Sequence, residues 1–405
     1  MVMQGLKQTV RSALDTRVRD SLWALRSRGD TSVLKAVVRG TLGVHYEVGT
    51  TQDHLRATMA WLCAAQDATA EGGVAAFYDV RAGTWGPLYP ETTGYIIPTF
   101  YNYAAYSGDE TYRDRAVRMA DWLLTLQLEN GAFPIGPLWP DWERKPIVFD
   151  TGQILHGLVR VFEETNSIPY LEAARRAGDW LLEIQDSDGC WRKFTSLNYV
   201  HTYNVRTAWA LLRLYQVTQD DKYRSGGVHN LRWSLTQQSP DGWFQNAAFR
   251  PNEDPLTHTI VYTIEGILES GIVLSDQSLI EAARLAADAL RKRQIQDGYL
   301  RARYGSEWQS QVSWSCLTGT AQMAMVWFTL YELTGNDEYI QAALIANRYL
   351  KQRQCRHSRL SGVTGGIAGS YPIYGDYEPY RHLNWAAKFF ADSLLLEDRL
   401  YTSKR

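Results

Sequence analysis

Two kinds of helical pattern alternate along the chain. Segments at about 53–66, 110–127, 170–185, 221–238, 278–294 and 337–354 carry charge on one side and apolar residues on the other. Glu172, Arg175, Arg176 and Asp179 mark such a charged side. Between these lie segments starting near Thr92, Thr151, Tyr203, Thr259, Thr318 and Asn384, with little charge on any face. GQILHGLVRVF (152–162) and GTAQMAMVWFTLY (319–331) are examples. A helix that is apolar all round is buried on both sides. The pattern therefore predicts outer helices alternating with inner ones.

A recurring phrase punctuates the outer helices, seen most fully as AGDWLLEIQDSDGCW at 177–191. Its glutamine returns as Gln66, Gln127, Gln185, Gln238, Gln294 and Gln354. Five residues earlier stand Trp61, Trp122, Trp180, Trp233, Ala289 and Tyr349. A glycine and an apolar residue follow in four copies: Gly131/Phe133, Gly189/Trp191, Gly242/Trp243 and Gly298/Tyr299. A fixed period of this size is one supersecondary unit used repeatedly. Six outer and six inner helices begin with an outer one and end with the inner segment NWAAKFFADSLL (384–395). That order lets the last inner helix pair with the first outer one, so the expected fold is all-α, an (α/α)6 toroid or six-hairpin barrel, over residues 50–405. Closure removes exposed repeat ends and the need for caps.

Residues 1–49 stand apart. Leu6, Val10, Leu14, Val18 and Leu22 recur every four residues among Lys7, Arg11, Arg17, Arg19, Arg26 and Arg28. This reads as an amphipathic basic helical arm, for contact with a membrane surface or protein partner, or for packing across the repeat body.

Composition narrows the function. A net charge of −2 gives no basic field for nucleic acid. Cys63, Cys190, Cys316 and Cys355 lie far apart, form no metal-binding spacing, and read as buried thiols of a reducing compartment. No metal or cofactor is expected. No apolar run approaches a membrane span, and the first residues lack the apolar block of a secretion signal. The cytoplasm is the expected compartment.

The long loops, 129–149, 188–200, 240–257, 297–314 and 356–381, all precede inner helices and gather on one face. The inner helix starts crowd polar residues there: PETTGY (90–95), VFDTGQ (148–153), VHTYNVR (200–206), PLTHTIVYTIE (255–265), SWSCLTGTAQ (313–322) and YRHLNWAAK (380–388). With 15 Trp and 24 Tyr in the chain, an aromatic mouth ringed by polar groups fits a sugar site. Glu91 and Asp150 head neighbouring inner helices. Packed helix axes lie roughly 8–10 Å apart, a spacing that leaves room for a water between two carboxyl groups, as inverting glycoside hydrolysis needs. Asp150-x-x-Gln153 also spells a helix capping box. His201, Tyr203 and His258 are the candidates for proton abstraction in a lyase or epimerase. Trp85, Tyr95, Gln153, Asn204, Arg206, Tyr262, Trp314, Gln322, Asp376, Asn384, Trp385 and Lys388 are expected to bind substrate. Glu265 reads as a buried acid paired with an arginine, Cys316 as a small buried residue, and Lys388 with Asp392 as an i,i+4 pair. The glycine- and tyrosine-rich loop 361–380 is expected to be a flap offering Asp376 and Glu378.

These residues resemble the six-hairpin glycosidases, and within them the unsaturated glucuronyl and rhamnogalacturonyl hydrolases. Glu91-Thr92-Thr93-Gly94-Tyr95 parallels that family's acid ahead of a Gly-aromatic pair, with the acid one place early. Val148-Phe149-Asp150 parallels its I-x-D acid. His201 before Arg206-Thr207-Ala208-Trp209 parallels its His and Arg-x-x-Trp helix, with Thr-Ala where Gly-Gln is usual. The resemblance implies a carbohydrate-active enzyme that hydrolyses an oligo- or polysaccharide containing uronic acid. Lyase or epimerase chemistry and a non-catalytic glycan-binding role in polysaccharide assembly are the alternatives. The Trp/Gln repeat also resembles that of squalene and terpene cyclases, whose Asp-x-Asp-Asp proton donor is absent from this sequence.

Overall fold

The computed structural model describes residues 32–358 and 360–402, so most of the basic arm lies outside the described residues. Its described end, α1 (Ser32–Leu42), rests on the loop 361–380: Gly40 abuts Pro372, and the Tyr371 hydroxyl donates to the Arg39 carbonyl at 3.3 Å.

Six outer helices follow in alternation with six inner ones. The outer set is α2 (Thr51–Gln66), α4 (Thr111–Leu124), α6 (Ile168–Glu183), α8 (Asp221–Leu235), α10 (Gln277–Arg291) and α12 (Asp337–Lys351). The inner set is α3 (Pro90–Ser107), α5 (Val148–Thr165), α7 (Val205–Thr218), α9 (Thr257–Leu274), α11 (Leu317–Thr334) and α13 (Asn384–Thr402). Each inner helix packs on the next, and α13 packs on both α2 and α3. The rods therefore close into the (α/α)6 toroid that the alternation predicts.

The repeated glutamine explains the closure. Outer helices end two or three residues before it, except α2, which ends on it. Released from the helix, the side-chain amide reaches two carbonyls at once. One belongs to its own turn glycine, the other to the next outer helix. Gln127 Nε2 donates to Gly131 O and Ala173 O at 2.8 Å each, and Gln294 Nε2 to Gly298 O at 3.0 Å and Ala342 O at 2.9 Å. Gln66, Gln185 and Gln238 repeat the pattern. At the seam Gln354 Nε2 donates to Gly365 O at 2.8 Å and to Thr58 Oγ1 of α2 at 2.7 Å. The turn glycine is required at these joints. Gly189 sits at φ 92°, and a Cβ there would come within 2.4 Å of the His229 carbonyl oxygen on α8.

Threonines at inner helix starts tie the loops down. Thr93 Oγ1 accepts the Val74 N–H and Thr151 Oγ1 the Phe133 N–H, each at 3.0 Å. Across the seam, β1 (Phe77–Asp79) pairs antiparallel with β2 (Thr84–Trp85) on one side and β5 (Arg381–Leu383) on the other. A second short pair joins β3 (Ser315–Cys316) to β4 (Ser370–Tyr371). The loop 361–380, expected as a flap, is thus pinned. Ser370 Oγ donates to Tyr377 O at 2.6 Å and accepts its N–H at 3.2 Å. No helix of the described residues is long and apolar enough to cross a membrane.

Gln354 closes the ring, so Gln354→Ala leaves buried carbonyl and hydroxyl groups without their donor. The expected loss is about 2 kcal/mol of unfolding free energy, against less than about 0.5 kcal/mol for the exposed Gln311→Ala control. Urea unfolding followed by circular dichroism checks this, and equal midpoints would remove the glutamine stitch from the account.

Candidate active site

The inner helix starts converge on a crater of about 380 Å³. Glu91 and Asp150 sit in the first turns of α3 and α5, both buried and both on its wall. Tyr95, Tyr203, His258, Tyr262 and Trp385 share that wall with them. Asp150 accepts the Gly136 N–H at 2.9 Å, while the N-cap of α5 is Ile147 with no side-chain cap bond. Asp150 and Gln153 therefore form no capping box. The carboxylate is turned to the crater loop instead.

Burial raises the pKa of both acids. Glu91 is pushed up to about 7 by loss of water, against the hydrogen bond from the Tyr89 hydroxyl and the charge of Arg206. Asp150 is held well above the carboxylate range by burial first and the nearby Glu91 charge second, with the Gly136 N–H opposing. The Glu91 charge raises the proton affinity of Asp150, so the two acids do not ionise together easily.

The histidines divide. His258 lines the crater beside Tyr262, ring centroids 4.3 Å apart, and its Nδ1 meets Gln322 Oε1 at 2.7 Å. Burial lowers its pKa to about 3, with the Arg206 charge adding to the effect and the Gln322 bond opposing it, which leaves a neutral ring. Chemistry at this ring runs through Nε2. His201 is a correction to the sequence-based expectation. It lies behind the wall, stacked on Tyr203 at 4.6 Å, and both its nitrogens face backbone carbonyls, Ala248 O at 3.0 Å and Ser196 O at 2.8 Å. It braces Tyr203 and the loop, and no nitrogen remains for a substrate proton.

Most of the expected polar contacts also sit elsewhere. Arg206 is fully buried beneath the crater, ion-paired with Glu265, bonded through Nε to Gln153 Oε1 at 2.9 Å, and 4.8 Å from the centre of the Tyr262 ring. Lys388 pairs with Asp392 at 2.7 Å below the floor. Asn384 bonds Ala75 O at 3.0 Å and Thr92 Oγ1 at 2.8 Å, locking α13 to α3. Asn204 is buried at the start of α7, outside the crater lining. Trp314 lies against Gly375, and Asp376 is exposed near Arg303 at 3.9 Å. Trp85 lines a neighbouring cleft. One reason covers Arg206, Lys388 and Asn384: a charge or amide that the ring buries is drawn to a partner within the protein. Cys316 is a buried N-cap whose thiol burial pushes up to about 11, far from a nucleophile.

Sequence reasoning passed over Tyr89, Phe149, Ser196, Phe249 and Tyr377, all on the crater wall. Phe149 directly precedes Asp150, and Tyr89 lies two before Glu91. Aromatic residues flanking an acid at an inner helix start were the available signal. Among the described residues, the cation on this wall is Arg381, which carries Glu378 at 2.6 Å and Asp79 at 3.7 Å.

Because the folded chain holds protons on Glu91 and Asp150 that the unfolded chain releases, stability falls as pH rises from about 4.5 through about 7. Glu91→Gln removes one of these penalised ionisations. Relative to the unaltered protein it is expected to gain about 1 kcal/mol or more between pH 4 and pH 8, read by urea unfolding at both values. A pH-independent difference would mean that Glu91 is not held protonated by burial.

Comparison with solved structures finds the same toroid. An unsaturated glucuronyl hydrolase responsible for glycosaminoglycan degradation, from Bacillus sp. GL1, is 17% identical with a TM-score of 0.69, covering 87% of this chain and 98% of its own. Cellobiose 2-epimerase from Bacillus thermoamylovorans B4167 is 14% identical with a TM-score of 0.66, covering 84% and 97%. A polysaccharide lyase is 12% identical with a TM-score of 0.61, covering 88% and 99%. At these identities the likeness is one of fold. Against curated protein sequences no match is found. Residues 52–275, more than half of the chain, match the squalene-hopene cyclase C-terminal domain, and the chain belongs to that family.

Proposed function

We propose that the chain is a carbohydrate-active enzyme that cleaves a glycosidic bond by acid/base hydrolysis in the crater. The observation that carries this reading is the pair of buried carboxyl groups, Glu91 and Asp150, sharing one aromatic-walled cavity where burial raises the pKa of both. Asp150 donates its proton to the leaving oxygen. Glu91, ionised, takes a proton from the water that attacks the anomeric carbon, while the bond from that carbon to the leaving oxygen breaks. The hydroxyls of Tyr89, Tyr95, Ser196, Tyr203, Tyr262 and Tyr377 ring the space. These hydroxyls have protein partners, as in the Tyr262–Tyr95 and Trp385–Tyr377 bonds, but a hydrocarbon guest of the cyclase kind would return nothing to their remaining lone pairs or to the two acids. A sugar ring offers hydroxyls to meet them and an apolar face for the aromatic walls. The carboxylate of a uronate would have to share Arg381 with Glu378 and Asp79, so the charge of the sugar is a matter for direct comparison.

One observation favours a second reading. His258 stands on the same wall beside the Tyr262 ring, and the charge of a bound anionic sugar would raise its burial-lowered pKa towards that of a base able to remove a sugar C–H proton in elimination or epimerisation.

The test uses heparin-derived and cello-oligosaccharides as charged and neutral probes. Hydrolysis appears as new reducing ends, and elimination as ultraviolet absorbance from a new conjugated double bond. Asp150→Asn and Glu91→Gln are each expected to lower turnover by about 10²-fold or more with sugar binding retained. The pH profile of kcat/KM should be bell-shaped, with both limbs displaced upward from the ordinary carboxylate range because burial raises both pKa values. Full turnover in both variants, with loss in His258→Ala, would replace hydrolysis by the second reading. Binding without turnover in the unaltered protein would make this a glycan-binding protein.

A further inference from the structure

A second cleft of about 680 Å³ adjoins the crater. The two share Phe77, Ile135, Pro137, Trp139 and Arg381 in their linings, so they lie side by side on the mouth face. The crater alone lies near the low end of the volume range of ligand pockets, roughly 300–1,000 Å³. The outer cleft adds more than that again.

Its lining is unusual for a protein surface. Trp85, Trp139 and Trp142 all contribute, and Trp139 and Trp142 are 39% and 58% exposed. Large indoles clustered and left partly in water mark recognition surfaces. Polar and charged groups stand among them, including Glu71, Glu143 and Arg144. The segment that carries the two exposed indoles is tied down. Ile135 N donates to Lys145 O and Leu138 N to Leu88 O, each at 2.8 Å, and Trp142 N to Trp139 O at 3.1 Å. That same segment supplies the Gly136 N–H that bonds Asp150. The platform and the acid are therefore held in a fixed relation by one short stretch of chain.

We infer that the outer cleft binds the continuation of the glycan whose scissile unit occupies the crater, with Trp142 stacking on a sugar ring beyond it. The inference rests on the proposed sugar chemistry of the crater and deepens it: the preferred substrate is an oligosaccharide longer than a disaccharide. Adjacency selects this occupant. The outer cleft adjoins the crater across their shared lining, and it offers aromatic faces with hydroxyl-binding groups between them, the pattern that suits a sugar chain. A hydrocarbon tail would bury Glu71, Glu143 and Arg144 at a penalty.

Binding of a disaccharide and a hexasaccharide, from both the heparin-derived and the cello-oligosaccharide series, is measured by calorimetry on the full chain carrying Glu91→Gln, which suppresses turnover. Trp142 lines only the outer cleft, so Trp142→Ala in that background is expected to weaken hexasaccharide binding about tenfold and leave disaccharide binding within twofold. Arg144→Ala should weaken the hexasaccharide in the same selective way. Equal affinity for the two lengths, or a Trp142→Ala effect on both alike, overturns the inference while leaving the crater chemistry standing. Failure of every probe to bind overturns the sugar reading of the crater and this inference with it. A Trp142→Ala effect confined to vesicle binding or to the oligomeric state, with hexasaccharide affinity unchanged, assigns the indoles to a membrane or a second copy and also overturns it.

Discussion

One side-chain amide holds the architecture together. Six times, a glutamine at or just past the end of an outer helix spans from its own turn to the next outer helix, to a backbone carbonyl in five cases and to the Thr58 hydroxyl in the sixth. Neighbouring hairpins are thereby fixed in angle as well as in contact, which apolar packing alone does weakly because it is non-directional. A chain of such joints need not close. It closes here because the sixth, Gln354, finds Thr58 of the first outer helix and because α13 enters the gap between α2 and α3. The seam is then sewn a second time at the mouth, where β1 and β5 pair.

Closure has an electrostatic consequence. Six inner helices point their N-termini at one small volume, where unpaired N–H groups and the positive ends of helix dipoles favour acceptors and acids. The same convergence strips water from whatever stands there. Charges that can find partners below the floor do so, Arg206 with Glu265 and Lys388 with Asp392. Glu91 and Asp150 find no such cation within bonding distance among the described residues. They take hydrogen bonds from Tyr89 and Gly136 instead, and burial drives both pKa values upward. A charge-paired network and an uncompensated pair of acids thus come from the same physics, and what separates them is whether a counter-charge lies in reach.

Arg206 links the two layers. Its guanidinium lies under the Tyr262 ring, and its charge lowers the pKa of Glu91 and of His258 from beneath. The buried pair with Glu265 keeps that charge in place at the desolvation cost of both ions. The crater is consequently a site with a polar floor under aromatic walls, suited to guests that carry hydroxyl groups on an apolar frame. His201, with both nitrogens on carbonyls, belongs to the wall's support rather than its chemistry.

The sequence by itself determined the count and order of the rods, the direction of closure and the face that bears the long loops. Those follow from period and amphipathicity, which are local properties of a chain written in 3.6-residue turns. It also placed Glu91 and Asp150 at inner helix starts, and it gave the partners of Glu265 and Lys388 in kind. Only the tertiary structure decided which polar residues face the crater. Residues three apart share a helix face but stand one turn apart in depth, so Asp150 looks into the cavity while Gln153, a turn deeper, reaches Arg206. That choice depends on the neighbour across the ring, and no spacing within one segment records it.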